Sequence, residues 1–340
     1  MNGFWDTLPR PFFVLAPLAN VTDAAFRRII AKYSRYGGRD IDYMKKPATI
    51  GVLGGPDVMF TEFISADGLI KGDWDAMLLD LKYTECERPI VAQFFTSTPY
   101  HMEQAAILAK ELGFDGVDIN MGCPDRSIER QKAGAMLMRD LERAKELIVA
   151  AKRGAGGLPV SVKTRIGYYK NEIERWLPAL LVAKPAAISI HARTRKEMSK
   201  VDAHWDVMGR AVEIRNELKS ETRIIGNGDV RGLDDAREKA RTCNVDGVMI
   251  GRGVFGNPWF FSPEQGKMVS AEKKVVVMLE HASLFVELFS GKKNYETMKR
   301  HFKSYVNGFR GANILRAQLM TAKTHDEVRQ IATDFMGKNF

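Results

Sequence analysis

Eight short apolar runs bounded by Gly, Pro and Asp recur along the first three quarters of the chain: FFVLAPL (12–18), VMFTEFIS (58–65), PIVAQFF (89–95), GVDINMG (116–122), PVSVKTRI (159–166), AAISIHART (186–194), RIIGNGDV (223–230) and GVMIGRGV (247–254). Most lead into helical periodicity, as at 22–33, 101–113, 141–154, 207–219 and 233–243. A crossover helix returns the chain for a parallel pairing, and strands covered on both faces read as nearly continuous apolar runs. Eight such units predict an α/β fold, a (β/α)8 TIM barrel. An open doubly wound sheet is the rival. No G-x-G-x-x-G follows the first run, and polar residues gather at the carboxyl ends of most runs rather than at one crevice, which disfavours it.

After GNPWFFSPEQG only helical patterning continues. Val275, Leu279, Ala282, Val286 and Phe289 recur at steps of three and four, as do Tyr295, Met298, Phe302, Tyr305 and Phe309. Thr324 followed by Glu327 reads as a capping box opening a last helix with Val328, Ile331 and Phe335. The expected division is a barrel over 1–262 and a small helical bundle over 263–340. Residues 34–57, partly basic and Gly-rich, read as an inserted loop without an assigned role.

Bulk properties narrow the classes further. No apolar run approaches the ~20 residues of a membrane span, and the N-terminus lacks a basic lead before a cleavable apolar segment, so a cytoplasmic location is expected; a monomer is expected too, although no feature of the sequence reads the oligomeric state. Three widely spaced cysteines, Cys86, Cys123 and Cys243, suit a reducing compartment better than disulfides or zinc, and no metal is expected. Residues 265–340 hold 13 Lys and Arg against 7 Asp and Glu, which places +6 of the net +9 charge in the last quarter. That tail is a candidate footprint for a polyanion.

In a parallel barrel the carboxyl ends of the strands converge on one mouth. In order they offer Ala16-Pro17-Leu18-Ala19, Glu62, Gln93, Asn120 with Cys123, Lys163 with Arg165, His191 with Arg193, Asn227-Gly228-Asp229 and Gly251-Arg252. The last two turns, each feeding a helix start, suit a phosphate, with Arg193 and Arg252 adding charge-assisted contacts. Lys163 lies where apolar side chains would otherwise fill a barrel, and a buried ammonium needs an acceptor. It could act as a Schiff-base nucleophile; beside Gln93, His191 and a phosphate cup, donation to a ring oxygen or nitrogen of a flavin fits better.

Together, LAPLANVTDAAFR, DINMGCP, KTRIG, IHARTR, NGDV and GVMIGRGVFGNPW resemble the dihydrouridine synthases, flavoenzymes that reduce uridine in RNA, over roughly residues 12–260. The resemblance implies FMN at the barrel mouth and NADPH as reductant. Pro17, Leu18 and Ala19 would line the isoalloxazine, Gln93 and Lys163 would bond its polar edge, and His191 would approach the ring or ribityl chain. Asn227, Gly228, Asp229, Gly251 and Arg252 would hold the phosphate region. Hydride from the flavin N5 would reach uracil C6 while Cys123, a thiol mostly protonated near neutrality, protonates C5. Asn120 would contact the uracil or help fix the flavin.

The implied substrate is tRNA, with the base splayed into the mouth. Arg126, Arg130, Lys132, Arg165, Arg193, Arg195 and Lys196 are candidate contacts near the mouth, and Lys299, Arg300, Lys303 and Arg310 on the tail. Cys86 and Cys243 read as inert buried thiols. After GCP the chain has Asp125-Arg126-Ser127 where many relatives place lysines. Other substrates left open are ribosomal RNA and, for a flavin barrel oxidoreductase of a different class, a free pyrimidine or other small molecule.

Overall fold

The structure, a computed structural model, describes residues 2–38, 54–72, 74–262 and 269–339. Eight parallel strands form among them: β1 (Phe12–Leu15), β2 (Met59–Ser65), β3 (Ile90–Phe95), β4 (Gly116–Asn120), β5 (Val160–Arg165), β6 (Ala187–His191), β7 (Arg223–Asn227) and β8 (Gly247–Ile250). They pair in the order β1-β8-β7-β6-β5-β4-β3-β2. The two ends of that sheet meet at one parallel bridge, Val14 to Val58. There Leu15 N–H donates to Val58 O at 3.0 Å and Asp57 N–H to Phe13 O at 2.7 Å. The sheet is thus closed into the expected (β/α)8 barrel, and each strand is shorter than its apolar run, by residues at the amino end, at the mouth or at both.

Helices α1 (Ala24–Ile30), α2 (Ala66–Lys71), α3 (Trp74–Asp80), α4 (Pro99–Glu111), α5 (Arg126–Arg130), α6 (Leu141–Ala155), α7 (Ile173–Val182), α8 (Asp206–Glu217) and α9 (Leu233–Cys243) accompany the strands. The buried Asp23 carboxylate caps α1 by accepting Phe26 N–H at 2.9 Å. A wider π-type turn, Ala31–Arg35, continues α1, so the expected insertion begins inside a helix. Its middle, 39–53, lies outside the described residues.

Side chains on a strand alternate faces, so residues two apart share the interior. At the amino ends that interior is apolar: Phe12, Val14, Phe60, Val91, Ala187, Ile225 and Met249 form one cluster, plugged from below by Trp5 and Leu8. One or two steps further along the same faces come Gln93, Asp118 and Asn120, Ser161, Lys163 and Arg165, His191, and Asn227. The polarity of the barrel is therefore written along each strand.

Helices α10 (Ala271–Phe289), α11 (Met298–Tyr305), α12 (Ala312–Thr321) and α13 (His325–Asn339) form the bundle. Half of the expected capping box is present: Thr324 Oγ1 accepts Glu327 N–H at 3.2 Å, while the Glu327 carboxylate accepts from Lys323 N–H at 2.7 Å rather than from Thr324. The bundle core is shared with the barrel, because Ala24, Ala25, Ile29 and Tyr33 of the first helical segment and Leu79 of α3 pack in the same cluster as Val275, Phe285, Phe302 and Val328. No helix among the described residues is long and apolar enough to cross a membrane.

Asp57 fastens the barrel seam twice, since its Oδ2 also accepts Phe13 N–H at 2.7 Å. Asp57→Ala should lower the urea midpoint by the equivalent of about 1–3 kcal/mol, the cost of a buried donor left unpaired. Asp57→Asn keeps an acceptor there and should lose less than half as much. Equal midpoints for both variants would remove the carboxylate from the seam.

Candidate active site

A cavity of about 610 Å³ opens at the carboxyl ends of the strands, lined by Pro17, Leu18, Ala19, Phe63, Asn120, Cys123, Lys163, Arg165, His191, Arg193, Ser199, Asn227, Gly228, Asp229, Arg231, Gly251, Arg252 and Gly253 among others. Most of the residues expected at the mouth therefore do converge. Glu62 and Gln93 are the exceptions, and each has a physical reason.

The register between β2 and β3 steps from Phe60↔Val91 to Phe63↔Gln93, so an extra residue enters β2. That bulge turns Phe63, not Glu62, into the cavity. Glu62 faces away from it, accepting Asn20 N–H and Lys293 Nζ. Strict alternation cannot reveal a one-residue slip.

Gln93 is fully buried beneath the cavity floor. Its Nε2 donates to Asp118 Oδ2 at 2.6 Å, and its Oε1 accepts Asn120 Nδ2 at 3.2 Å. Asn120 Oδ1 in turn accepts the N–H groups of Gly122 at 3.1 Å and Cys123 at 2.9 Å. Asp118, also bonded by Ser161 Oγ at 2.6 Å, starts this chain; burial pushes its carboxyl up to about 6, against the pull of the Ser161 and Gln93 bonds. Sequence reasoning missed Asp118, although its spacing from Asn120 places both on one face. Gln93 is accordingly a support for the turn at Cys123 rather than a cavity wall.

Cys123 is half-buried at the rim, and burial raises its thiol pKa, so the proton is held at neutral pH. Its carbonyl accepts Ala135 N–H at 2.9 Å, which folds the following segment back over it. Burial and then Arg165 pull the Lys163 ammonium down to about 8, with Asp118 opposing. Among the described residues nothing hydrogen-bonds that ammonium. Burial, with Arg165 and Lys163 nearby, holds His191 neutral, and its Nε2 faces Arg193 Nη1 at 3.1 Å.

The remaining cations sort by what already occupies them. Arg193 is buried, donating to Val201 O at 2.7 Å and paired with Asp229. Arg165 is buried and donates to the carbonyls of Gly122 at 2.8 Å, Met198 at 3.1 Å and Thr194 at 3.2 Å. Arg195 clasps Glu129 with two nitrogens, one at 2.6 Å. Each of these three is already bonded to groups that brace the mouth, and Arg165 and Arg193 also line the cavity. Lys299 pairs with Glu296 at 2.8 Å and Arg300 donates to Ala19 O at 3.3 Å. Arg126, Arg130, Lys132, Lys196, Lys303 and Arg310 are exposed.

Asn227 Nδ2 donates to Met249 O at 2.8 Å, tying the last two strands. Gly228 at φ +135° follows, then Asp229, itself at φ +46°. Burial acts upward on the Asp229 carboxyl, but bonds from Arg193 and Ala203 N–H outweigh it and keep it ionised. Arg252 Nη2 reaches Asp229 Oδ1 at 3.2 Å while its side chain stays largely exposed. Ser199, Arg231 and Phe63 complete the lining; the first two lie on irregular loops that carry no periodic signal.

A family model described as "Dihydrouridine synthase (Dus)" matches residues 14–338. The Bacillus subtilis (strain 168) protein named "Probable tRNA-dihydrouridine synthase 2" is 41% identical over 340 residues, 99% of this chain and 98% of that protein. The "Probable tRNA-dihydrouridine synthase" of Staphylococcus epidermidis (strain ATCC 35984) is 38% identical over 337 residues, 98% and 96% of the two chains. Among solved structures, histamine dehydrogenase from Rhizobium sp. 4-9 matches at a TM-score of 0.48 and 12% identity, over 80% of this chain and 48% of that one, too remote to bear on chemistry.

Gly134, at φ +61°, presses the returning segment onto Cys123: a Cβ there would meet Cys123 O at 2.8 Å and Ile128 Cγ2 at 2.9 Å. Gly134→Ala should therefore unseat the turn, speeding alkylation of Cys123 about tenfold and costing ~1–3 kcal/mol of stability. Cys86 and Cys243, both buried, serve as internal controls. Unchanged alkylation at Cys123 would separate that glycine from the thiol.

Proposed function

Because the chain belongs to the dihydrouridine synthase family, we propose that it reduces the C5=C6 bond of uridine in tRNA, with FMN as resident cofactor and NADPH as reductant. The observation that carries this reading is a protonated thiol, Cys123, on the rim of a cavity whose lining is strongly cationic. Lys163, Arg231 and Arg252, whose cationic heads are not spent on backbone carbonyls, line it against a single carboxylate, Asp229, among the lining residues. That imbalance suits a phosphate dianion. The Lys163 ammonium, without a hydrogen-bond partner among the described residues, suits an anionic or carbonyl acceptor on a ring.

On this reading Asn227, Gly228, Asp229, Gly251 and Arg252 hold the ribityl phosphate end. Arg193 orients His191 and Asp229 there rather than contacting RNA. Pro17, Leu18 and Ala19 form the apolar wall against the ring, and Lys163 bonds its polar edge. FMN, when bound, supplies the hydride that C6 of uracil accepts. Cys123 gives its proton to C5 from the opposite face, so hydride and proton together saturate the double bond. Asn120 holds the Cys123 backbone still during that transfer.

A uridine stacked in a helix cannot enter this cavity and must be extruded. Arg126, Arg130 and Lys303, exposed around the mouth and on the bundle, then meet the backbone phosphates. We take 1–262 as the catalytic barrel and 263–340 as its RNA-facing companion, working as a cytoplasmic monomer.

Three measurements test the proposal. Purified protein with FMN, NADPH and unmodified tRNA should form dihydrouridine; turnover of free uridine at comparable efficiency would favour a small-molecule oxidoreductase, and preferential action on ribosomal fragments would change the RNA. Cys123→Ala should keep its flavin and let NADPH bleach it, yet lose uridine reduction by at least about 100-fold; full activity would remove the acid role. The triple variant Arg126→Ala, Arg130→Ala, Lys303→Ala should flatten the slope of log affinity for tRNA against log salt by about 2–3 units. An unaltered slope would move the RNA face elsewhere.

A further inference from the structure

The bundle does more than lie beside the barrel. Where α10 ends, Lys293 turns inward and its ammonium stands 2.7 Å from Glu62 Oε2 and 2.6 Å from Asp80 Oδ1. Asp23 is a third carboxylate close enough to interact with it. Glu62 is 5% exposed, and its other oxygen accepts the N–H of Asn20. Asn20 sits at φ +55°, the tight point of the loop that carries Pro17, Leu18 and Ala19 along the cavity wall. From α11, Arg300 adds a bond to Ala19 O at 3.3 Å. Two consecutive elements of the bundle thus grip one cavity loop, one of them through a carboxylate.

We infer that Lys293 is a positioning residue for the cofactor wall: by neutralising Glu62 it keeps that carboxylate aimed at Asn20, and so the bundle shapes the loop against which the ring of FMN would lie. The consequence for FMN rests on the proposed function; the grip on the loop does not. Without Lys293, Glu62 and Asp23 face each other in a largely buried place. Burial and Glu62 already push Asp23 up to about 6, with Lys293 and Arg27 opposing. Two like charges in low dielectric relax by turning away or taking a proton; it is the turning away of Glu62 that releases the Asn20 N–H. Removing the Glu62 charge as well relieves that conflict, while a Gln at 62 keeps an oxygen for Asn20.

The test compares wild type, Lys293→Met, Lys293→Met with Glu62→Gln, and Lys293→Met with Glu62→Leu, all as full chains without flavin. Amide exchange of the Leu18–Val21 segment should quicken about tenfold in Lys293→Met, return to within about twofold of wild type when Gln replaces Glu62, and stay fast with Leu. The FMN dissociation constant, read by quenching of flavin fluorescence, should rise about tenfold and recover in the same pattern. Should Lys293→Met fail to fold, the Gln and Leu double variants, in which the Glu62 charge is absent, still decide by their contrast. Exchange that ignores Lys293, or Gln and Leu doubles that behave alike, would overturn the inference. A wild type that binds no FMN would instead end the cofactor reading and leave the exchange result to judge the grip.

Discussion

Closure of eight parallel strands is the constraint on which the rest depends. A closed barrel has no free edge, and each strand must send every second side chain inward. In this chain those inward positions are apolar at the amino ends, where Trp5 seals the floor, and polar at the carboxyl ends. The cavity forms where packing stops. Its charge follows because the last inward residues of β5 and β6 are Lys163, Arg165 and His191, with Arg193 just beyond. The seam between β1 and β2 is the weak point of closure, carried by a single bridge and the two bonds of Asp57.

Beneath the cavity, polar side chains act in series. Asp118 orients Gln93, Gln93 orients Asn120, and Asn120 holds the backbone at Cys123. Each amide can present oxygen or nitrogen, and the buried carboxylate at the far end settles which way each one points. Above the cavity, Arg195 and Glu129 fasten the segment after Cys123 to the loop following β6, while Arg165 ties Gly122 to that same loop. The thiol is thus held from below by amides and from above by guanidinium groups, so arginines that look like surface charge are struts.

Much of this was legible in advance. The eight runs and most of the helices were visible because an inward–outward period of two and a period of 3.6 leave different marks on hydrophobicity. The residues at the mouth were legible because strand ends in a barrel share one rim. The failures are instructive. Glu62 was misplaced by a bulge, which changes the period without changing composition. What Gln93 and the arginines at the mouth have left to offer was not legible, because partners distant in sequence, such as Asp118 and Glu129, decide it.

By itself the sequence determined the barrel, the helical tail, the family, and which residues stand near the mouth, since these depend on periodicity and on motifs local to each strand end. Only the tertiary structure decided how those residues are engaged: Lys163 has no hydrogen-bond partner among the described residues, Arg193 and Arg195 hold carboxylates, and Glu62 is turned toward Lys293 from the bundle. The physical reason is that a hydrogen bond or an ion pair is a property of two groups at a distance, and the chain order of one group carries no record of where the other will come to rest.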